Sequence, residues 1–123
     1  MKILLDTNML LDCTKYRVDF SAQLHGHELI TLSSCFNELE KLGKKRGKAG
    51  EAARIALIMA RAKGVIIVRS AEKNADAAIL RHALREKQSD FAVATNDRAL
   101  IKSLKKNGIR IIRLREKKKL TEA

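Results

Sequence analysis

The sequence predicts an α/β fold in which a parallel sheet is covered by helices on both faces. Short apolar runs alternate along the chain with longer segments whose apolar residues recur every three to four positions. The runs lack the polar alternation of half-exposed strands, which is typical of strands buried on both sides. A length of 123 residues suits one domain. Together these observations indicate a layered βαβ architecture.

Five apolar runs are predicted as strands, because each is short and ends at polar residues. They are Lys2–Leu5, Glu28–Leu32, Val65–Val68, Phe91–Thr95 and Ile109–Leu114. The helices are predicted between them from apolar residues that share one face, such as Ala52, Ile55, Ala56 and Met59 in the third. The predicted helices are Asn8–Lys15, Ser34–Leu42, Ala49–Lys63, Ala75–Glu86 and Arg98–Asn107. Gly108 follows the last of these, where a glycine commonly terminates a helix.

Two segments stand outside this alternation. Residues 43–48 are rich in glycine and lysine, and predict a flexible basic loop between two helices. Residues 116–123 are basic and predict a C-terminal tail that frays, so we assign the folded domain to residues 1–115.

The charge of the chain indicates a polyanionic partner. Lys and Arg number 26 against 14 acidic residues, for a formal net charge of +12. Aromatic residues make up only 3%, which disfavours recognition of single strands by base stacking and favours contact with the phosphate backbone. Cys13 and Cys35 lie in apolar stretches, without metal-binding spacing, and are interpreted as reduced core residues. No apolar run is long enough for a membrane span, so we expect a cytoplasmic protein without membrane contact.

Four acidic residues follow the predicted strands: Asp6, Glu38, Asp76 and Asp97. Connectivity places all four at the carboxyl end of the sheet, where open α/β folds bind ligands. Carboxylates gathered there suit Mg²⁺ or Mn²⁺, which can activate water and clamp a phosphodiester. Each acid alone is better explained as a helix cap or a first-turn residue, and it is their common location that favours a site. The polar residues beside them are expected to orient the carboxylates or the attacking water: Asn8, Thr95 and Asn96.

Other chemistries find little support in the motifs. There is no GxxxxGK[ST] or GxGxxG loop, which disfavours a nucleotide cofactor. A phosphoacceptor signalling domain would need an acidic pair after the first strand and an aspartate after the third. Here Asp6 stands alone and Val68 is followed by Arg69 and Ser70, so that interpretation carries little weight.

The motifs that hold these acids resemble those of PIN-domain nucleases. Leu4–Asn8 is similar to the opening motif of that family, and Ala94–Leu100, followed by Lys105–Ile109, is similar to its closing motif. Asn37–Leu42 and Asp76–Leu80 fit the second and third acidic positions. The resemblance covers about residues 1–115 and implies a three-layer α/β/α sandwich with a central five-stranded parallel sheet.

The resemblance implies a metal-dependent endoribonuclease with Asp6, Glu38, Asp76 and Asp97 as catalytic metal ligands for Mg²⁺ or Mn²⁺. Glu40 is an alternative to Glu38 at the second position. The basic residues expected to hold RNA are Lys44, Lys45, Arg46, Lys48 and Arg98. Both the ribosomal-RNA-processing branch and the VapC-type toxin branch fit the motifs; the toxin branch would add an antitoxin partner, and a homodimer is expected in either. The alternative function is a non-catalytic RNA-binding or ribosome-assembly factor on the same fold.

Overall fold

The computed structural model describes residues 1–123 and consists of one six-stranded sheet with six helices. The strands are β1 (Lys2–Leu5), β2 (Glu28–Leu32), β3 (Ile66–Val68), β4 (Phe91–Ala94), β5 (Arg110–Arg115) and β6 (Lys119–Glu122). The helices are α1 (Thr7–Lys15), α2 (Phe20–Gln23), α3 (Ser33–Gly43), α4 (Gly47–Ala62), α5 (Ala75–Glu86) and α6 (Arg98–Lys106). The strand order is β3-β2-β1-β4-β5-β6, with β1 to β5 parallel and β6 antiparallel to β5.

Two apolar layers cover the sheet, which confirms the three-layer α/β fold. One layer packs α1 and α4 against one face through residues such as Leu10, Ala56 and Leu114. The other packs α5 and α6 against the opposite face through residues such as Ile79 and Leu104. Helix α3 contributes to both layers. Strands β1, β2, β4 and β5 are thereby largely buried, as the apolar runs predict. Strand β3 at the edge of the sheet differs from the prediction, since Ile66 and Ile67 are 49% and 42% exposed.

The strand order changes direction at β1, which is the feature that positions the site. Chain order runs from β1 to β2 and β3 on one side, whereas β4 pairs with β1 on the other. Lys2 is opposite Phe91 and Leu5 is opposite Ala94 in this parallel pair. The residues after Leu5 and after Ala94 therefore emerge side by side at a topological switch point, where α/β sheets bind ligands.

The C-terminal segment differs from the expectation. Residues 119–122 form β6 and pair with β5 from Arg115↔Lys119 to Ile112↔Glu122, so the sheet has six strands instead of five and this segment is not a frayed tail. The hairpin turns at Glu116 and Lys117, which have positive φ values of 54° and 57°. These residues lack the glycine that usually signals such a turn, and the strand itself has little apolar alternation.

The basic segment between α3 and α4 is also different from the predicted flexible loop. It is a tight turn of residues 44–46, since α3 extends to Gly43 and α4 begins at Gly47, where φ is +86°. A Cβ on Gly50 would lie 1.8 Å from the carbonyl oxygen of Lys45, so the turn packs directly on α4. Arg54 Nη1 also donates to the carbonyl oxygen of Gly43 at 2.7 Å. The turn is therefore held in place by α4.

The two cysteines lie in the core, as predicted. Cys13 and Cys35 are buried free thiols, and burial raises the pKa of Cys13 to about 12, which keeps it unreactive. None of the helices has the length and apolar character that a membrane crossing requires. The short helix α2 was not predicted, because a single turn has no measurable periodicity.

Candidate functional site

Asp6 is the centre of the candidate site and is held by two fixed donors. It is the N-cap of α1, where its Oδ1 accepts a hydrogen bond from the Met9 backbone N–H at 2.6 Å. Its Oδ2 accepts one from Thr95 Oγ1 at 2.5 Å. The side chain is only 4% exposed, and the backbone N–H of Asp6 continues the sheet by donating to Ala94 O. The carboxylate therefore has one orientation, set by helix, strand and hydroxyl together.

Asp97 occupies the equivalent place after β4. It is the N-cap of α6, with Oδ1 accepting from the Leu100 backbone N–H at 3.0 Å. The backbone N–H of Asp97 donates to Thr95 Oγ1 at 3.1 Å. One buried hydroxyl thus connects the two aspartates, since Thr95 donates to Asp6 and accepts from Asp97. Capping and site formation are the same structural feature here, and the two interpretations do not compete.

Asp76 and Glu38 join Asp6 and Asp97 in an acidic edge, by which we mean these four carboxylates at the carboxyl end of the sheet. The side chains of Asp76 and Glu38 are held less firmly than the other two. Both are exposed, Asp76 in the first turn of α5 and Glu38 midway along α3. Neither side chain receives a hydrogen bond from the chain. Desolvation, followed by the negative charges of Asp97 and Glu38, raises the pKa of Asp76. Glu38, and not Glu40, contributes to this shift, which favours Glu38 as the member of the acidic edge.

Electrostatic repulsion links the four carboxylates. Burial raises the pKa of Asp6 to about 6; the hydrogen bonds from Thr95 and Met9 oppose the rise, and the charges of Asp76 and Asp97 add to it. A bound cation would relieve this repulsion and favour the ionised form. The residues therefore offer the oxygen ligands that a hard divalent cation prefers, with carboxylates from four elements of the fold.

The acids do not form a closed metal cage. No group of three or more His, Cys, Asp or Glu side chains is assembled closely enough to enclose an ion. Mg²⁺ is commonly held by one or two protein carboxylates and keeps several waters. The open edge, with Asp6 and Asp97 fixed and the other two acids exposed, fits a hydrated ion of this kind.

The residues expected to orient the carboxylates have different roles. Thr95 is fully buried and contacts both aspartates. Asn96 instead pairs with β5, since its Nδ2 donates to Leu114 O at 2.9 Å and its Oδ1 accepts from Leu114 N at 2.8 Å. Asn8 is exposed and makes no side-chain hydrogen bond to an acid. Of the three, only Thr95 bonds a carboxylate, that of Asp6, and it reaches Asp97 through the backbone N–H. Asn96 positions the loop that carries Asp97.

A groove of about 560 Å³ extends from Glu38 along α3 and the β3–α5 loop. Its polar lining includes the three lysines Lys41, Lys44 and Lys73. Of the predicted RNA-binding residues, only Lys44 lies in this groove. Lys45, Arg46 and Lys48 are exposed in or beside the turn, and Arg98 is exposed next to Asp97 at the start of α6. The basic side chains predicted to bind RNA thus lie in two places, in or near the α3–α4 turn and beside Asp97.

A serine cluster that was not predicted closes the bottom of this groove. Ser70 Oγ accepts from the Ser34 backbone N–H at 3.1 Å and lies 2.5 Å from Ser34 Oγ, while Ser70 N donates to Ser33 Oγ at 2.9 Å. The N-cap of α3, Leu32, has no capping side chain, so Ser70 supplies the cap from the β3–α5 loop. The position of Ser70 could have indicated this role in the sequence, because Ser70 comes two residues after β3, at the end of the sheet where Asp6 follows β1. This cluster fixes α3, which carries Glu38, to the loop that precedes α5 and Asp76.

Comparisons with known proteins agree with this geometry. Residues 3–117 match the family model described as PIN like domain. The chain is 33% identical over 123 residues to Ribonuclease VapC4 of Methanocaldococcus jannaschii, covering 95% of this chain and 92% of that protein. It also superimposes on the structure of the PIN domain endonuclease Utp24 with a TM-score of 0.82 and 26% identity, over 98% of this chain and 90% of that one.

Proposed function

Because this chain belongs to the PIN-like domain family, we propose that it is an endoribonuclease that uses Mg²⁺ or Mn²⁺ to hydrolyse RNA phosphodiester bonds. The observation that carries the proposal is the pair Asp6 and Asp97, joined through the Thr95 hydroxyl at the switch point of the sheet. The similarity to a ribonuclease and to a PIN domain endonuclease supports the same class of reaction.

The chain's own residues supply a rigid negative site and a positive surround. Asp6 and Asp97 would hold the ion with oriented oxygens, and Asp76 and Glu38 would contact it or its waters from the exposed side. A bound divalent ion in such a site lowers the pKa of water and neutralises charge on the scissile phosphate. Lys44, Lys45, Arg46, Lys48 and Arg98 would hold the RNA backbone by contacts that do not depend on sequence.

The test is a cleavage assay on ribosomal and transfer RNA with purified protein. We expect cleavage in Mg²⁺ or Mn²⁺ that leaves 5′-phosphate and 3′-hydroxyl ends, and loss of cleavage in EDTA. Asp6→Asn and Asp97→Asn should be inactive, while Asp12→Asn, which changes an aspartate elsewhere on α1, should retain activity. Equal cleavage in EDTA, or full activity of the Asp6→Asn variant, would contradict the proposal.

A readout other than activity tests the ion itself. Mg²⁺ or Mn²⁺ should raise the melting temperature of the wild-type protein, because an ion that binds only the folded state stabilises it. The Asp12→Asn variant should show the same rise and the Asp6→Asn variant a smaller one. An identical rise in all three proteins would place the ion elsewhere.

The second candidate is a non-catalytic RNA-binding or ribosome-assembly factor on the same fold. The lysines Lys41, Lys44 and Lys73 in the groove beside Glu38 favour it, since they would hold RNA whether or not the acids bind an ion. Tight RNA binding that is unaffected by metal, with no turnover of any RNA, would support this function over the nuclease.

The biological role follows one of two branches. A VapC-type toxin would have a protein antitoxin as partner, and a small overlapping upstream reading frame would indicate it. The absence of such a frame would favour ribosomal-RNA processing.

The expected homodimer has an apolar surface available on α4, where Ile55 and Ile58 are 42% and 65% exposed. Analytical ultracentrifugation would test this oligomeric state.

A further inference from the structure

One face of the β5–β6 hairpin carries a row of basic and polar side chains that the proposed site does not use. Leu114 and Leu120 point into the apolar layer beneath α1 and α4. The alternating residues point to the other face of the sheet: Arg113 and Arg115 on β5, with Thr121 and Lys119 directly opposite on β6. These four side chains line a concavity of about 440 Å³, together with Leu114 and Glu116.

Two residues that line this concavity each have a buried polar atom without a hydrogen-bond partner. Arg113 Nε and Thr121 Oγ1 have no hydrogen-bond partner in the chain, and the two residues are paired across the strands. Buried donors without partners are costly, so such groups usually mark a place where water or a ligand binds. An arginine and a hydroxyl on adjacent strands present donors suited to phosphate oxygens.

The charge around the concavity favours an anion. Residues 110–122 contain six basic and two acidic residues. Glu122 is paired with Arg110, at 2.8 Å, which leaves Glu116 as the acidic residue without an ion pair in the hairpin. The net positive charge of this surface is therefore available to a ligand.

The hairpin is physically connected to the acidic edge. Thr95 N donates to Ile112 O at 3.0 Å, which extends the pairing of β4 and β5 to the residue that contacts both aspartates. Asn96 holds Leu114 through both of its amide atoms. The concavity therefore begins one strand away from Asp97 and on the sheet face covered by α6, whose first residue is the exposed Arg98.

We propose that this face of the β5–β6 hairpin binds a phosphodiester of the RNA backbone, with Arg113 and Thr121 as inner donors and Arg115 and Lys119 beside them. The inference rests on the proposed function for its choice of ligand. It extends the RNA path from Arg98 across β5 to β6, on the side of the acids opposite to the Lys44 groove. The segment that closes the sheet is thereby also a substrate-binding element.

The test measures RNA binding separately from cleavage. Fluorescence anisotropy with a labelled single-stranded RNA is recorded over a range of salt concentrations, using the full chain with Asp6→Asn to prevent cutting. Adding Arg113→Gln should weaken binding by roughly three- to ten-fold and lower the salt slope by about 0.7, the value for one phosphate contact on a single strand. Thr121→Val should weaken binding less, since it removes one neutral donor.

The matched control is Arg85→Gln, which removes an exposed arginine from the last turn of α5 and should leave affinity and slope unchanged. If Arg113→Gln lowers the melting temperature markedly, Arg115→Gln provides the same measurement from an exposed position. Unchanged affinity and slope in the folded hairpin variants, or no binding of RNA by the parent protein, would overturn the inference. Cleavage by the wild-type protein decides the proposed function independently of either result.

Discussion

The two halves of the acidic edge differ in how their carboxylates are held. In the half formed by β1 and β4, Asp6 and Asp97 cap helices and share the buried Thr95 hydroxyl. In the half formed by β2 and β3, Glu38 and Asp76 are exposed and are positioned only through the helices that carry them. The first half is fixed by hydrogen bonds to the carboxylates themselves, and the second by the serine cluster beneath α3.

This difference indicates a division of roles. Oxygens held in advance bind an ion without further ordering, whereas exposed side chains must lose rotamer freedom when they engage it. We therefore expect substitutions in the first half to affect activity and stability together. Substitutions of the two exposed acids in the second half, Glu38 and Asp76, should affect activity with little change in stability.

The largest difference is expected between Asp6→Asn and Glu38→Gln. Loss of a fixed ligand should reduce cleavage by about a thousand-fold, because the site supplies several kcal/mol of charge stabilisation. Glu38→Gln should cost about ten- to a hundred-fold, as for a group that acts partly through water. Initial rates in Mg²⁺ measure both, with Glu40→Gln as the control that should remain near wild type. Equal losses for Asp6→Asn and Glu38→Gln would remove the distinction between the halves.

Thr95→Val tests whether the shared hydroxyl maintains the rigid half. The variant keeps the shape of the side chain but leaves Asp6 Oδ2 and the Asp97 N–H without their partner. We expect about ten- to a hundred-fold loss of cleavage and about 1–3 kcal/mol loss in the free energy of unfolding. Thr95→Ser, which retains the hydroxyl, should recover most of the activity. Failure of serine to do so would show that packing, and not the hydrogen bonds, matters at this position.

The raised pKa of Asp6 predicts that the metal-free protein becomes less stable as the pH rises. The pKa is about 6 in the folded state against 3.8 for the ordinary group, so the folded protein holds this proton more tightly. The contribution of protonated Asp6 to the free energy of unfolding is fully present below about pH 4. This contribution, about 1–3 kcal/mol, is lost as the pH rises to about 6.

Asp6→Asn cannot ionise and should escape this loss. Urea unfolding in EDTA should therefore be measured from about pH 4 to about pH 8. Over this range, the free energy of unfolding of the variant should increase relative to that of the wild type by about 1–3 kcal/mol. Parallel stability curves would mean that burial does not penalise the Asp6 carboxylate.

The smallest effect is expected at the serine cluster. Ser70→Ala removes the hydroxyl that caps α3 and should cost about 1 kcal/mol in the free energy of unfolding. Cleavage should fall only a few-fold, since α3 keeps its packing against α4. Ser89→Ala, at an exposed turn, is the matched control for both measurements. A loss as large as that of Thr95→Val would mean that the second half is as rigid as the first.

The sequence anticipated the parallel core of the fold because buried strands and amphipathic helices leave strong patterns. It did not anticipate β6, whose Leu120 is its one aliphatic residue and whose pairing depends on a turn at Glu116 and Lys117 without glycine. A strand at the edge of a sheet needs apolar residues on one side at most, so its pattern is weak. The basic turn was misjudged because glycines that allow close packing look the same in sequence as glycines that allow flexibility.

The location of the four acids could be predicted because connectivity alone brings strand ends to one edge. Their hydrogen-bond partners could not, since these depend on register and on contacts between distant residues. Asn96 illustrates the limit: it lies beside Asp97 in the sequence, yet its partner is Leu114 on the neighbouring strand. Ser70 and Ser34 meet only because β3 pairs with β2, across 36 positions of the chain.

The close contact between Gly50 and the carbonyl oxygen of Lys45 limits how this protein can evolve. Any side chain at position 50 would force the turn away from α4, and the cations of Lys44, Lys45 and Arg46 would move with it. Selection can therefore exchange the side chains of this turn freely, but it cannot readily alter the turn's length or path. Under the proposed function, RNA preference should diverge among descendants of this chain by changes of charge in this turn rather than by insertions.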